Sequence, residues 1–379
     1  MRGVLNNKWP GVAAAFVAAL VLLSVPAVAK DSMKQLVTDA DDGKFDISEY
    51  LARGGFIPVP IIITEPALGQ GLGVAATFLD YSGLPDGEDP TISVLGVAAT
   101  GNGSKGALAF RSGSFRQGRF KYAAALGGGS VNMTFYPTGN RGFTFNNRAK
   151  VAYLEGRMQI GKSAFYLGPS ITLANTKIRP DFGSSFPIPP ALTQDIQMNA
   201  LGILTSYDSL DNPLTPRNGL NFNAHLRRYD DVIGSDANFD TLSVFGAGFR
   251  SPNPDWTFGG MVLGNATSGS TPFFMEPSIA IRGVPLNRYQ GDRVLSSEVE
   301  IRRQLNPRWS VLGFAGYGRA TANGSSSISK NNEVFTGGLG IRYRIAKRFG
   351  LDMGLDVAVG PEDTIVYIQL GHAWGRNLK

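Results

Sequence analysis

From about residue 69 to residue 374 the chain is a succession of short apolar and polar alternations broken by Gly, Pro, Asn and Asp. Period-two alternation marks a strand with two unlike faces, and the breakers are turn residues. The C-terminal units show it best. In GLDMGLDVAVG, Leu351, Met353, Leu355 and Val357 alternate with Asp352, Gly354 and Asp356; in TIVYIQLG, Val366, Ile368 and Leu370 alternate with Ile365, Tyr367 and Gln369; in GGLGIRYRI, Leu339, Ile341 and Tyr343 oppose Gly340, Arg342 and Arg344. One face calls for apolar surroundings while the other carries charge and glycine. The pattern predicts strands over 69–81, 90–101, 105–115, 119–127, 129–137, 144–160 and 163–176, then over 192–208, 218–230, 238–250, 255–266, 294–305, 309–320, 333–345, 349–359 and 363–374, sixteen in all.

A soluble sandwich could bury such apolar faces against each other. For consecutive strands without helices, a membrane barrel is the economical solution: the backbone pairs around a closed sheet, apolar side chains meet lipid and polar ones line the interior. The expectation is an all-β, antiparallel transmembrane β-barrel of sixteen strands. Tyr81, Phe120, Tyr229, Trp256, Trp309, Tyr343 and Trp374, near strand ends, are expected at the lipid interfaces. With both chain ends on the periplasmic side, the turns PRNG, SPNPDW, LNPRW and AKRF face the periplasm, and the long connection over 267–293 lies at the outer side.

The N-terminus supplies an address. Arg2 and Lys8 precede the apolar GVAAAFVAALVLLSV, and PAVA ends at Ala29 with small residues spaced for cleavage, so residues 1–29 read as a secretory signal peptide. Residues 30–54 read as a short periplasmic helix and turn or plug, and residues 55–379 as the barrel. Within TDADDGKFDISE, Asp42, Gly43, Phe45, Asp46 and Glu49 match calcium-loop spacing, but Thr38 and Ala40 stand where two carboxylates are wanted, so a solvated acidic turn is the simpler reading and no metal is assigned. In FIPVPIIITEP, Pro58 and Pro60 lack ladder donors and suit an edge or a barrel entrance.

Composition narrows the chemistry. Of 379 residues, 48 are Gly and none is Cys, which excludes disulfides and thiol catalysis. Without Arg2 and Lys8 there remain 34 basic and 30 acidic residues. That excess is too small and scattered to indicate a nucleic-acid partner. Only two histidines occur, His225 and His372, both in strand-like segments, with no G-x-S-x-G or H-E-x-x-H, so the chain is not read as an enzyme and no cofactor is implied.

One stretch stands out. IRGVPLNRYQGDRVLSSEVEIR places Arg282, Arg288 and Asp292 just ahead of a segment in which Ser297, Val299 and Ile301 alternate with Glu298, Glu300 and Arg302. A guanidinium keeps its charge, so inside a barrel Arg282 needs carboxylate partners, and Glu298, Glu300 and Asp292 are candidates. The residues alone also allow an external loop with a solvated Arg282.

Four stretches, GFIPVPIIITEPALGQGLG, YDSLDNPLTPRNG, IRGV followed by SEVEIR, and the glycine-rich strands that end in HAW, make residues 55–374 resemble the BamA/TamA-type outer-membrane barrel superfamily, also called the bacterial surface antigen family. The resemblance implies that the loop after strand eleven folds into the lumen, with Arg282 and its neighbour Gly283 held by acidic residues of the wall, Glu300 foremost. It also implies residence in the outer membrane among lipid and lipopolysaccharide, insertion by barrel-assembly machinery, and a role in outer-membrane biogenesis or macromolecule translocation. The alternative is a passive channel or a structural surface protein. Three departures are visible. Gly316 stands where the family often has Asp, Leu210 where Arg is common, and GRNLK extends beyond Trp374. Between Lys30 and Gly54 there is no room for a polypeptide-transport-associated module, so any client-binding role is expected to need a separate periplasmic partner.

Overall fold

The computed structural model describes residues 34–63, 70–80, 90–138, 141–180, 193–285, 287–322 and 332–375. Its strands are β1 (Phe56–Ile63), β2 (Gly71–Asp80), β3 (Thr91–Thr100), β4 (Lys105–Phe115), β5 (Phe120–Thr138), β6 (Arg141–Gln159), β7 (Phe165–Pro180), β8 (Gln194–Gln197) and β9 (Ala200–Asp208). They continue as β10 (Gly219–Tyr229), β11 (Phe239–Asn253), β12 (Trp256–Gly269), β13 (Arg293–Gln304), β14 (Trp309–Thr321), β15 (Asn332–Ala346), β16 (Leu351–Val359) and β17 (Thr364–Leu370). Successive strands pair antiparallel, except that β8 and β9 follow one another along β7 and occupy one position. The 17 strands therefore make sixteen staves of a nearly closed barrel in which β1 and β17 come side by side.

The expected number of staves is met through two departures that cancel. The segments 119–127 and 129–137 are one strand, β5, because the run Gly127, Gly128, Gly129 continues the ladder; a Cβ on Gly129 would lie 2.6 Å from the Lys105 carbonyl, so glycine there admits a close neighbour rather than turning the chain. The proline-bearing segment at the barrel entrance, not counted among the sixteen strands, is the first stave, β1, paired along its length with β2. The signal segment 1–29 and Tyr81 lie outside the described residues.

Along β13, Leu295, Val299 and Ile301 are exposed while Ser296, Glu298 and Glu300 are buried. The same parity leaves Leu72, Leu95, Leu108, Leu126, Leu154 and Leu201 exposed and places Arg342, Asp352 and Asp356 inside. An apolar exterior around a charged interior inverts the arrangement of a soluble barrel, and hydrocarbon is the solvent that it fits. No helix among the described residues is long and apolar enough to cross a membrane.

Two of the expected interface aromatics are inside. Tyr229 is 2% exposed and stacks on Phe239 with ring centres 4.2 Å apart. Trp374 is 3% exposed because Gly371, at φ 74°, turns the chain off β17 and into the lumen.

The N-terminal segment caps one end of the barrel and includes the short helix α1 (Ser48–Ala52). Its Ile47 and Leu51 share a buried cluster with Ile57, Leu79 and Ile92 of β1 to β3 and with Ile345, Ala346 and Leu351 of β15 and β16. Its acidic turn is organised around an internal cation. Arg308, in the β13–β14 turn, donates to Asp39 at 2.5 Å, Asp42 at 2.8 Å and Asp46 at 2.5 Å. Of the carboxylates spaced like calcium ligands, Asp42 and Asp46 are thus turned on a guanidinium, while Glu49 pairs with Arg53 at 3.1 Å.

Candidate functional site

The connection from β12 to β13 folds into the barrel and runs along the inner wall. Its two arms hold each other: the Ile279 N–H donates to the Tyr289 carbonyl at 2.9 Å and the Gly291 N–H to the Pro277 carbonyl at 3.1 Å. The ingoing arm is received by side chains of β13, with the Ala280 N–H on Ser296 Oγ at 3.0 Å and the Arg282 N–H on Glu298 Oε1 at 2.5 Å. Beside it, β14 presents Phe314, Gly316, Gly318 and Ala320 on its inward face. A Cβ on Gly318 would meet Ile279 at 2.2 Å, and one on Gly316 would meet Thr336 at 2.7 Å and Ile281 at 3.2 Å. The missing side chains of these glycines are the seat of the loop's isoleucines. This accounts for the departure at Gly316, where an aspartate would have no room.

Arg282 ends the ingoing arm and is 7% exposed. Nε donates to Glu298 Oε2 at 3.2 Å, Nη1 to Asp356 Oδ2 at 2.9 Å and Nη2 to Glu300 Oε2 at 2.9 Å. Its guanidinium plane lies over the Phe314 ring, 3.6 Å from the centre. Gly283, at φ 89°, turns the chain back and donates its N–H to the Tyr367 hydroxyl at 3.0 Å. A Cβ there would press on the backbone of Val359 and Gly360 at 3.3 Å. On the returning arm, Arg288 pairs with Glu362 at 2.6 Å, and the Tyr289 hydroxyl donates to the same carboxylate at 2.8 Å.

The network continues around the wall. Arg342 binds Asp356 through two nitrogens at 2.5 and 2.9 Å, Arg302 binds Asp352 at 2.5 Å, and Arg344 binds the other oxygen of Asp352. Four carboxylates, Glu298, Glu300, Asp352 and Asp356, thus face four guanidiniums, Arg282, Arg302, Arg342 and Arg344. Equal numbers leave no uncompensated charge, the condition for burying ions at all. The C-terminal turn adds two more partners: the Trp374 indole N–H reaches Glu298 Oε2 at 2.6 Å, and His372 Nε2 lies 3.3 Å from Glu300. His372 Nδ1 accepts the Trp374 backbone N–H, so its proton sits on Nε2.

Of the residues singled out in the sequence, Arg282, Gly283, Glu298 and Glu300 come together. Asp292 does not join them: it lies just ahead of β13, where its carbonyl accepts the Thr267 N–H. Asp356, Phe314, Tyr367, His372 and Trp374 complete the site. Inward parity already puts Asp356 in the lumen, and the alternation Phe314, Gly316, Gly318, Ala320 is the signal that marks the loop's seat. Nothing local in GHAW points to a turn into the lumen. Leu210, where an arginine is common in the resembled family, packs instead beside the apolar cluster of Phe249 and Trp374.

A second polar cluster lines the opposite wall. Tyr153 donates to Glu155, Arg157 pairs with Glu155 at 2.9 Å and donates to Ser206 at 3.0 Å, and Ser170 Oγ lies 2.7 Å from His225 Nε2. Glu155 is taken up by Tyr153 and Arg157. A cavity of about 480 Å³ adjoins Tyr153, Glu155 and Arg157 and extends to Leu214 and His372.

This architecture has counterparts among solved structures. The chain superposes on BamA from Haemophilus ducreyi lacking POTRA domains 1–3 with a TM-score of 0.53, at 10% identity over 91% of this chain and 81% of that one. It carries the BamA-type barrel fold. CdiB from Escherichia coli matches with a TM-score of 0.56 at 9% identity, over 89% of this chain and 73% of that one. CdiB from Acinetobacter baumannii matches at 0.54 and 10% identity, over 83% and 58%. No protein-family model and no curated protein sequence matches the chain. At such identities the likeness to BamA and CdiB is one of fold.

Proposed function

We propose that this protein is an outer-membrane barrel that acts in membrane biogenesis or in moving a macromolecule across the outer membrane, and that it does so with its lumen normally held shut. The observation that carries this reading is the way the wall holds Arg282. Every nitrogen of its guanidinium is committed to a wall carboxylate and its face to Phe314. With a wall carboxylate on each of its three nitrogens and an aromatic ring under its face, the arginine acts as an anchor rather than a selectivity filter. Opening then takes place near the first and last strands, aided by a separate periplasmic partner. The reading is non-enzymatic: His225 and His372 serve as structural hydrogen-bonding groups, and Glu155, on the same wall as Ser170 and His225, is engaged by Tyr153 and Arg157. Lipid and lipopolysaccharide surround the barrel, and barrel-assembly machinery inserts it.

The cavity beside Tyr153, Glu155 and Arg157 favours a second reading, a passive channel along that wall. Deleting the gene in its own host separates the two. The biogenesis reading expects an altered complement of outer-membrane proteins or lipids, restored by the wild-type copy. An unchanged envelope, with loss only of uptake of small solutes, would overturn it in favour of the channel.

A further inference from the structure

The seam between β1 and β17 carries a device that follows from two prolines. The ladder of β1 on β2 is continuous from Phe56↔Phe78 to Ile63↔Gly71. In an antiparallel ladder, pairs that exchange two hydrogen bonds alternate with pairs that exchange none. Pro58 and Pro60 have no N–H, so neither can belong to an exchanging pair; the exchanging residues are the odd ones, Ile57, Val59 and Ile61. The even residues therefore direct their backbone groups away from β2, towards the β17 side. At two successive positions of that row the donor is missing. Whatever strand lies against β1, β17 or an incoming one, meets a row of donors interrupted at its middle.

The cap supplies what the row lacks. Ile47 and Leu51 are buried with Ile57 of β1 and Leu79 of β2 on one side of the seam and with Ile345 and Leu351 on the other, with Leu370 of β17 packed against the same cluster. The Ile47 N–H donates to the Ile345 carbonyl at 2.7 Å, the Arg348 N–H to Ser48 Oγ at 3.1 Å, and the Tyr343 hydroxyl to the Phe45 carbonyl at 2.8 Å. Arg308, 1% exposed, pins the acidic turn from the same side. The helix α1 leads within a few residues into β1, so the chain ties the first stave to the far side of the seam through its own N-terminal segment.

We propose that residues 37–52 are a clasp that holds the cap end of the β1–β17 seam together through side chains, and that Pro58 and Pro60 keep strand pairing from replacing it. The chain has no Cys, so labels can be placed at will. Spin labels on Phe78 of β2 and Leu355 of β16, both outward-facing, report the width across the seam by pulsed EPR in lipid. The clasp predicts one narrow distance in the parent, a longer and broader distribution in Arg308→Ala and in Leu51→Ala, and a return to the narrow distance when Pro58→Val and Pro60→Val are added to Arg308→Ala. A protease site inserted after Gly54, cut in barrels that have already folded and followed by a high-salt wash, makes the comparison free of any assembly defect. An unchanged narrow distance once the segment has left, or no recovery on restoring the two donors, overturns the proposal.

Discussion

At the scale of single residues, the site rests on the difference between a planar fork and a point charge. Arg282 reaches three carboxylates in three directions while its face covers Phe314. A lysine has one cationic centre and no stacking plane. Arg282→Ala leaves the negative side of the buried cluster short of a partner and is expected to lower barrel stability by about 3–5 kcal/mol. Arg282→Lys is expected to fall between it and the parent, because it restores charge without the fork. The shift in the temperature at which the folded band is lost on semi-native gels, with protease access to residues 277–291, measures both. Equal stability of all three proteins would sink the anchoring role. Glu298 and Glu300 were legible because charge on an inward parity has few explanations, whereas Arg282 and Gly283 were placed by the resemblance that IRGV carries. Trp374 and His372 were not, since only the turn at Gly371 decides whether an aromatic end faces lipid or lumen.

At the scale of elements, the cap is the part that answers to pH. The Arg308 guanidinium and the Lys44 N–H hold the Asp42 carboxyl down, to about 2 from 3.8. Asp39 is lowered chiefly by the Asp41 N–H. Asp46 is raised by burial but lowered further by Ser48, Arg308 and the Lys347 N–H, with a net fall. Lys347 also faces the cluster, bonded to Asp41 and Asp39. A carboxylate whose folded value is depressed contributes stability above its unfolded value and loses it as pH falls through the folded one. Protection of residues 37–52 from proteolysis or hydrogen exchange is therefore expected to be flat near neutrality and to fail between about pH 4 and pH 2. Loss of protection already near pH 6 would point to another group. The strands were legible from alternation wherever the two faces differed in polarity. Alternation failed at Gly127 to Gly129, where glycine serves close packing instead of a turn, and at β1, where prolines mark an edge of the sheet rather than its absence.

At the scale of the whole molecule, the barrel's lumen is divided. The half formed by β11 to β17 holds the folded-in loop, its balanced charges and the C-terminal turn, while a cavity remains along β2 to β6. The division explains why a sixteen-stave count alone says little about conduction: the sheet sets the bore, and what folds back into it sets the opening. Period-two patterning makes the barrel legible, but the filling depends on contacts between residues 74 positions apart, such as Arg282 with Asp356, which no local pattern contains. The most direct test of a lumen held shut by its own loop is single-channel conductance of the purified, folded protein in a planar bilayer, with Arg282→Ala beside it. The account predicts little or only transient current in the parent and a clear increase in the variant. A large, steady current in the parent, unchanged by the substitution, would contradict it.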